Sequence, residues 1–179
     1  MKQNIALVTG GLSGEAVISY KTVVTINNNL DRNLFNVYII DINAEGWWYE
    51  LPDGRKVEIE KNDFSLILDN EKITFDAVFI GMHGTPGEDG KLQGYLDMLK
   101  IPYTGCDAAT SSLTFNKRYA VAVAGMAGIA VAKSVLLIKN RHWNRKIIVP
   151  YSALGRYSHC NISFSLYFLH HRFEIAHNL

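Results

Sequence analysis

Two short apolar runs, each ending in a glycine-rich loop, constrain the fold of this chain more than any other sequence feature. Residues 5–8 (IALV) run into residues 9–15 (TGGLSGE), which we name the first glycine loop. Residues 77–82 (AVFIGM) run into residues 83–90 (HGTPGEDG), the second glycine loop. An apolar run followed by glycines and a helical pattern is typical of a buried parallel strand feeding a helix. The pattern predicts an α/β domain on a parallel sheet.

Further helices and strands are predicted along the first 140 residues. Apolar side chains recur at helical spacing at Val17, Tyr20 and Val24, which predicts a helix over about residues 15–28. The other predicted elements are a strand at 36–42, an edge β-hairpin within 46–74 around Pro52-Asp53-Gly54, a helix through Leu92, Leu96 and Leu99, an extended segment at 101–105, a helix at 108–114 capped by Asp107, a helix capped by Asn116 that carries Tyr119, Val123 and Met126, and a strand at 132–138.

Charge is nearly balanced over the whole chain but not along it. The formal net charge of +1 gives no electrostatic footprint for general binding of nucleic acid or anionic membranes. Residues 1–140 carry a balance of −3, whereas residues 141–179 carry +4. The second segment also holds five of the six histidines and one of the 14 glycines. So abrupt a change predicts a boundary near residue 140.

The cysteines and the lengths of the apolar runs predict the compartment. Cys106 and Cys160 are too few for a disulfide framework, which fits a reducing environment. No run approaches the roughly 18 apolar residues that cross a bilayer, and the N-terminus lacks the pattern of a signal peptide. We therefore expect a cytoplasmic protein with neither a membrane nor a nucleic-acid partner.

The first glycine loop is a candidate ligand site because ligands of open α/β sheets bind where strands end and helices begin. It does not match GxGxxG, since Leu12 takes the place of the second glycine, and it lacks the Gly-Lys-Ser/Thr ending of a P-loop. A ligand-binding loop and a plain strand-to-helix turn both fit this segment.

The second glycine loop contains more polar chemistry. His83, the only histidine before residue 140, ends a predicted strand, and Glu88 and Asp89 follow it. A structural, hydrogen-bonded histidine and a catalytic one are both open, and the two acids can equally be helix N-terminal charges. One histidine beside adjacent carboxylates is a poor metal-ligand set. If both loops face one pocket, their carboxylates can hold a small cation such as an ammonium group.

The string HGTPGEDGKLQG at 83–94, followed by IPYTG at 101–105, closely resembles the N-terminal signature of D-alanine–D-alanine ligases. Residues 10–15 with Ser19 resemble the first glycine loop of that family, and Asn116-Lys117 resembles its later Asp-Lys pair. These segments follow the family's order and spacing over about residues 3–138.

The resemblance implies three regions. Residues 1–106 are expected to form a substrate-binding α/β domain of the pre-ATP-grasp, Rossmann-like kind, with the β-hairpin as an excursion. Residues 107–140 are expected to begin a truncated ATP-grasp domain. Residues 141–179 do not match the family, and we expect an out-of-frame or disordered tail there.

The resemblance also implies a ligase of peptidoglycan synthesis. ATP phosphorylates the carboxylate of one D-alanine, and the amine of a second attacks the acyl phosphate while Mg²⁺ neutralises the developing charge. By carry-over, Glu15 is the catalytic residue that binds the ammonium of the first D-alanine, and His83 and Glu88 shape that subsite. Ser19 supports the same substrate site, and Lys117 reaches an ATP phosphate. A homodimer is expected for the family at full length.

The chain departs from the family in two ways, and the second favours a chain without activity. Val17 stands where the family has an acid, and Asn116 where it has Asp; both changes weaken the match, but neither removes a charge assigned to the chemistry. The segment 141–179 contains a single acid, Glu174, so it cannot supply carboxylates for two Mg²⁺ ions, and no metal ligand is assigned. The alternative to an active ligase is a folded, non-catalytic fragment that binds small amino acids weakly or not at all. A different nucleotide-binding domain would need a phosphate fingerprint that neither loop has.

Overall fold

The computed structural model describes residues 2–132. The chain divides into two compact units, Met1–Gly128 and Ile129–Leu179, and all the described strands and helices lie in the first. The strands are β1 (Gln3–Gly10), β2 (Phe35–Asn43), β3 (Gly46–Glu50), β4 (Lys56–Glu58), β5 (Leu66–Leu68), β6 (Glu71–Ile73) and β7 (Ala77–Ile80). The helices are α1 (Ala16–Asn29), α2 (Lys91–Leu99), α3 (Ala108–Phe115) and α4 (Lys117–Met126). None of the helices within residues 2–132 is long and apolar enough to cross a membrane.

The five-stranded sheet has the order β4-β3-β2-β1-β7. Strand β1 pairs in parallel with β2 on one side and with β7 on the other, which confirms the predicted parallel α/β sheet. The run at residues 5–10 is buried throughout, as expected for a central parallel strand covered on both faces. Because β1 and β7 are parallel neighbours, the two glycine loops follow the carboxyl ends of adjacent strands and leave the sheet side by side.

The predicted hairpin is present at the edge of the sheet that lies opposite β7. Strands β3 and β4 pair antiparallel around the turn at Pro52-Asp53-Gly54, where Gly54 has a φ of 84°. A second hairpin, β5–β6, was not separated from the first by the sequence pattern. Its two-residue turn is Asp69-Asn70, with φ of 51° and 66°, conformations that Asp and Asn tolerate better than most residues.

An aromatic cluster of Trp47, Phe64 and Tyr95 fastens this excursion to helix α2. The three rings contact one another edge to face, with centroids 5.1–6.0 Å apart, and Phe64 is fully buried. The same apolar core contains Leu92 and Leu96 of α2, as their spacing predicted. Helix α2 follows the second glycine loop directly, so this packing also fixes one end of that loop.

Helix α1 confirms the predicted helix and begins one residue later, but the apolar residues that indicated it are not its buried ones. Val17, Tyr20 and Val24 are 61%, 41% and 57% exposed, whereas Ser19 and Val23 are buried. Ile26 lies on the same face of the helix as Ser19 and Val23, and this face packs closely against the sheet: a side-chain carbon added at Gly81, after the end of β7, would lie 3.1 Å from Ile26 Cδ1.

Both predicted helix caps are confirmed. The Asp107 carboxylate accepts a hydrogen bond from the Thr110 N–H at 2.7 Å, and the Asn116 side chain accepts one from the Tyr119 N–H at 3.2 Å. These caps begin α3 and α4; α3 ends one residue later than predicted, and α4 contains Tyr119, Val123 and Met126 as predicted. Residues 133–138 of the predicted last strand, and the whole of 141–179, lie outside the described residues.

Candidate substrate-binding site at the junction of two glycine loops

The two glycine loops are in direct contact. The Leu12 N–H donates to the Thr85 carbonyl oxygen at 2.8 Å. A side-chain carbon added at Gly11, whose φ is 124°, would lie 3.2 Å from the His83 carbonyl oxygen. Glycine at this position therefore allows the backbones of the two loops to meet, and the candidate side chains of both loops are brought to one junction.

Glu15 lies at this junction, immediately before helix α1. Its N–H donates to Ser13 Oγ at 3.3 Å, and Ser13 Oγ in turn donates to Glu15 Oε2 at 3.4 Å. The carboxylate lies over Gly84 of the second loop, because a side-chain carbon added there would collide with Glu15 Oε2 and lie 2.5 Å from Ser13 Oγ. Glu15 is exposed, so its charge is available to a ligand.

His83 is held by two hydroxyl groups of α1. Its backbone N–H donates to Ser19 Oγ at 2.9 Å, and its ring Nε2 lies 2.9 Å from Thr22 Oγ1. Ser19 is fully buried, and its hydroxyl also donates weakly to the Glu15 carbonyl at 3.4 Å. Ser19 thus ties the start of α1 to the second glycine loop through main-chain atoms.

Glu88 closes the second glycine loop on itself. The Gly84 N–H donates to Glu88 Oε2 at 2.7 Å, and the Glu88 N–H donates back to the Gly84 carbonyl at 2.8 Å. The other carboxylate oxygen, Oε1, lies 4.0 Å from His83 Nδ1. Both side chains remain partly accessible, with 39% of His83 and 46% of Glu88 exposed.

Asp89 is committed to a different partner. Its carboxylate lies 2.6 Å from the ammonium of Lys91, which is also 3.2 Å from Thr85 Oγ1. Burial on its own would raise the pKa of Asp89, but the hydrogen bonds from Lys91 and Thr85 outweigh it and hold the pKa below its usual value. Asp89 therefore neutralises Lys91, and the negative charge left for a ligand at the junction comes from Glu15 and Glu88.

Two exposed carboxylates and a partly exposed imidazole make a site suited to a small cation. An ammonium group is the natural cationic partner, since it donates charge-assisted hydrogen bonds to a carboxylate. A metal is less suited to these residues: within residues 2–132 there is no group of three or more His, Cys, Asp or Glu side chains that could hold one.

Lys117, the ATP-binding candidate, belongs to a helix and not to either glycine loop. It is the first residue of α4 and is exposed, and no hydrogen bond or ion pair within the described part of the chain connects it to either glycine loop. Its proposed contact with an ATP phosphate stays a prediction.

Sequence reasoning missed Ser13 and Thr22. Ser13 precedes Glu15 by two residues, a spacing at which a serine hydroxyl commonly accepts from the following backbone. Thr22 lies three residues after Ser19, so the two hydroxyls share a face of α1. The spacing of Ser19 and Thr22 could have indicated this shared face of α1, but only the structure shows that it faces the second glycine loop.

Comparison with known proteins gives one consistent family. Residues 4–106 match the model of the D-ala D-ala ligase N-terminus. The D-alanine–D-alanine ligase of Bacteroides fragilis (strain YCH46) is 41% identical over 137 residues, which is 76% of this chain and 42% of the relative. The chain thus spans less than half the length of the curated relatives that it matches.

Solved structures agree with the sequence match. D-alanyl-alanine synthetase A from Vibrio cholerae superposes with a TM-score of 0.72 at 30% identity, covering 86% of this chain and 45% of that one. The D-alanine–D-alanine ligase from Bacillus anthracis, in its complex with ATP, has a TM-score of 0.59 at 25% identity, covering 83% and 44%.

Proposed function

The chain belongs to the D-ala D-ala ligase N-terminus family, and from this membership we propose that the junction of the two glycine loops receives the first D-alanine of a ligation reaction. The observation that carries the proposal is the position of Glu15, whose exposed carboxylate lies over Gly84 of the opposite loop. An ammonium group bound there would contact both loops at once.

The proposed reaction is the ATP-dependent joining of two D-alanines for peptidoglycan synthesis. The carboxylate of the first D-alanine attacks the γ-phosphorus of ATP and forms an acyl phosphate with release of ADP. The amine of the second D-alanine then attacks the acyl carbon, loses a proton, and expels inorganic phosphate.

The residues of this chain would act on the first substrate. Glu15 neutralises its ammonium, because an ionised carboxylate forms a strong charge-assisted hydrogen bond with such a group. Glu88 adds negative charge and holds the turn at Gly84, while His83 presents a ring nitrogen beside it. Ser19 acts through the backbone of His83 and does not reach the substrate, since its side chain is fully buried.

ATP enters the proposal as a substrate, with Lys117 as the point charge for one of its phosphates. The described residues do not fit Mg²⁺, since they contain no cluster of metal-ligating side chains. No step of the reaction is therefore assigned to that ion on this chain. An ATP-dependent reaction belongs in the cytoplasm, and a homodimer is proposed for the full-length family.

The second candidate function is a folded, non-catalytic amino-acid-binding domain. It is favoured by one observation: the four side chains assigned to the first amino acid, Glu15, Ser19, His83 and Glu88, all lie within residues 4–106, the region that matches the ligase N-terminus, so this domain alone holds the proposed binding site. We propose that the 179-residue chain alone has no ligase turnover. A coupled assay of phosphate release with ATP, Mg²⁺ and D-alanine tests this directly, and sustained D-alanine-dependent release would show an active enzyme.

Binding of the first substrate is tested by comparing ligands that differ only in the ammonium group. Calorimetric titration should show D-alanine binding more tightly than D-lactate. Glu15→Gln should weaken D-alanine roughly tenfold and leave D-lactate unchanged, because only the charge-assisted contact is lost. The matched control is Glu50→Gln, at the exposed end of β3. Equal affinities for D-alanine in Glu15→Gln and the unmodified chain would contradict the role of Glu15.

A further inference from the structure

We propose that Thr22 is a positioning residue that orients the ring of His83 towards Glu88, whose carboxylate then selects the Nδ1–H tautomer. The tautomer is a property of the free chain. Only its consequence for a bound amino acid rests on the proposed function.

The geometry places the ring of His83 between a hydroxyl and a carboxylate. Nε2 lies 2.9 Å from Thr22 Oγ1, and Nδ1 lies 4.0 Å from Glu88 Oε1. The backbone of His83 is held by Ser19, one turn earlier on α1. Two hydroxyls of a single helix face therefore fix both the main chain and the ring of the same residue.

The two neighbours of the ring differ in what they can do. A threonine hydroxyl can donate or accept, whereas an ionised carboxylate only accepts. Glu88 is held in place because its Oε2 accepts from the Gly84 N–H. If Nδ1 carried a lone pair, it would be repelled by the negative charge of Oε1. If Nδ1 carries the proton, the N–H is attracted by that charge. The proton therefore belongs on Nδ1, and the Thr22 hydroxyl donates to the lone pair of Nε2.

This arrangement gives the junction a donor of fixed direction. The His83 side chain is 39% exposed, so a ligand can reach the ring. With Thr22 in place, the N–H is presented on the side of Glu88. Without the hydroxyl, Nε2 loses its donor partner, and the ring can exchange tautomers or turn away from the carboxylate.

The test is the ¹⁵N spectrum of the imidazole nitrogens in the full 179-residue chain. It is recorded on the high-pH plateau of a titration, where histidine rings are neutral. The two ring nitrogens then have well-separated shifts that identify which one carries the proton. The signals of His83 are assigned by their loss in His83→Gln, because the chain has six histidines.

Three variants separate positioning from structure. We expect the Nδ1–H tautomer in the unmodified chain, a mixture of tautomers in Thr22→Val, and recovery of the original spectrum in Thr22→Ser. Thr25→Val is the matched control: it changes an exposed threonine of the same helix and should leave the spectrum unchanged. The D-alanine dissociation constant should rise roughly fivefold in Thr22→Val and recover in Thr22→Ser.

Two results would overturn the inference: an Nε2–H tautomer in the unmodified chain, or an unaltered ring spectrum in folded Thr22→Val. If Thr22→Val fails to fold, the spectra of the unmodified chain and of Thr22→Ser still test the inference, because both proteins must show the Nδ1–H tautomer. If the spectra behave as expected but D-alanine does not bind, the tautomer assignment stands and the proposed substrate site fails.

Discussion

The aromatic cluster and the junction of the glycine loops belong to one compact unit, yet they are built in opposite ways. The cluster of Trp47, Phe64 and Tyr95 is apolar and packed edge to face, with Phe64 fully buried. The junction is held by backbone amides and hydroxyls, and its carboxylates are exposed. Stability and binding are therefore expected to depend on different residues, because burial that stabilises a fold would neutralise the charges that a ligand needs.

The largest expected effect comes from the cluster. Phe64→Ala should lower the free energy of unfolding by about 3–5 kcal/mol, because it removes a fully buried ring and leaves a cavity. The control is Val24→Ala, at a position 57% exposed, which should stay within about 0.5 kcal/mol. Urea unfolding monitored by circular dichroism measures both. Similar losses in the two variants would show that the cluster is not the main source of stability.

Alanine substitutions at two glycines test the junction, because both substitutions strain the backbone by a similar free energy. Gly84 and Gly54 have φ of 73° and 84°, so alanine is strained at either, by roughly 1 kcal/mol. Only at Gly84 would the new carbon meet Glu15 and Ser13, whereas at Gly54 nothing lies within 4 Å.

Gly84→Ala should therefore displace the Glu15 carboxylate and weaken D-alanine by about tenfold, with a loss of stability close to that of Gly54→Ala. Calorimetric titration and urea unfolding of both variants give the two quantities. If Gly54→Ala weakened D-alanine as much as Gly84→Ala, the effect would be one of general stability and not of the junction.

The smallest effect is the contribution of Tyr95, in the aromatic cluster, to the pH dependence of stability. Burial, helped by the charges of Asp63 and Glu60, raises the pKa of Tyr95 to about 12 from its usual value of 10. Between these values the unfolded chain loses the phenolic proton and the folded chain keeps it. The stability contributed by this group is thus complete below about pH 10 and is lost as the pH rises towards about 12.

Urea unfolding over this pH range should show a shallower decline in Tyr95→Phe than in the unmodified chain. Other tyrosines with a raised pKa, Tyr20 and Tyr38 among them, contribute equally to the pH dependence of both proteins. The difference in stability between the two proteins is therefore due to Tyr95. Parallel declines in the two proteins would contradict the assignment.

The parts of the fold that follow local rules were predictable from the sequence. The central strand β1 was marked by the continuous apolar run at residues 5–8, and Asp107 and Asn116 marked the starts of α3 and α4. The buried face of α1 was not predictable in this way. The apolar residues Val17, Tyr20 and Val24 face outward, whereas the inner side has Val23 and a small residue, Ser19, where the helix approaches the second loop.

The candidate site was predictable as two loops but not as a set of contacts. The glycines and acids of residues 9–15 and 83–90 indicated binding, and neighbouring parallel strands brought them together. The distinction between Glu88 and Asp89 needed coordinates, since adjacent acids look alike in a sequence. One closes the loop through Gly84, and the other pairs with Lys91.

The central claim, that both glycine loops form one subsite for D-alanine, is tested most directly by a titration of the ¹⁵N-labelled chain with that amino acid. The amides of Gly11 and Glu15 in the first loop, and of Gly84 and Glu88 in the second, should shift together and fit one dissociation constant. The amide of Val57, in the distant hairpin strand β4, should stay in place. Shifts confined to one loop, or no shifts in either, would contradict the claim.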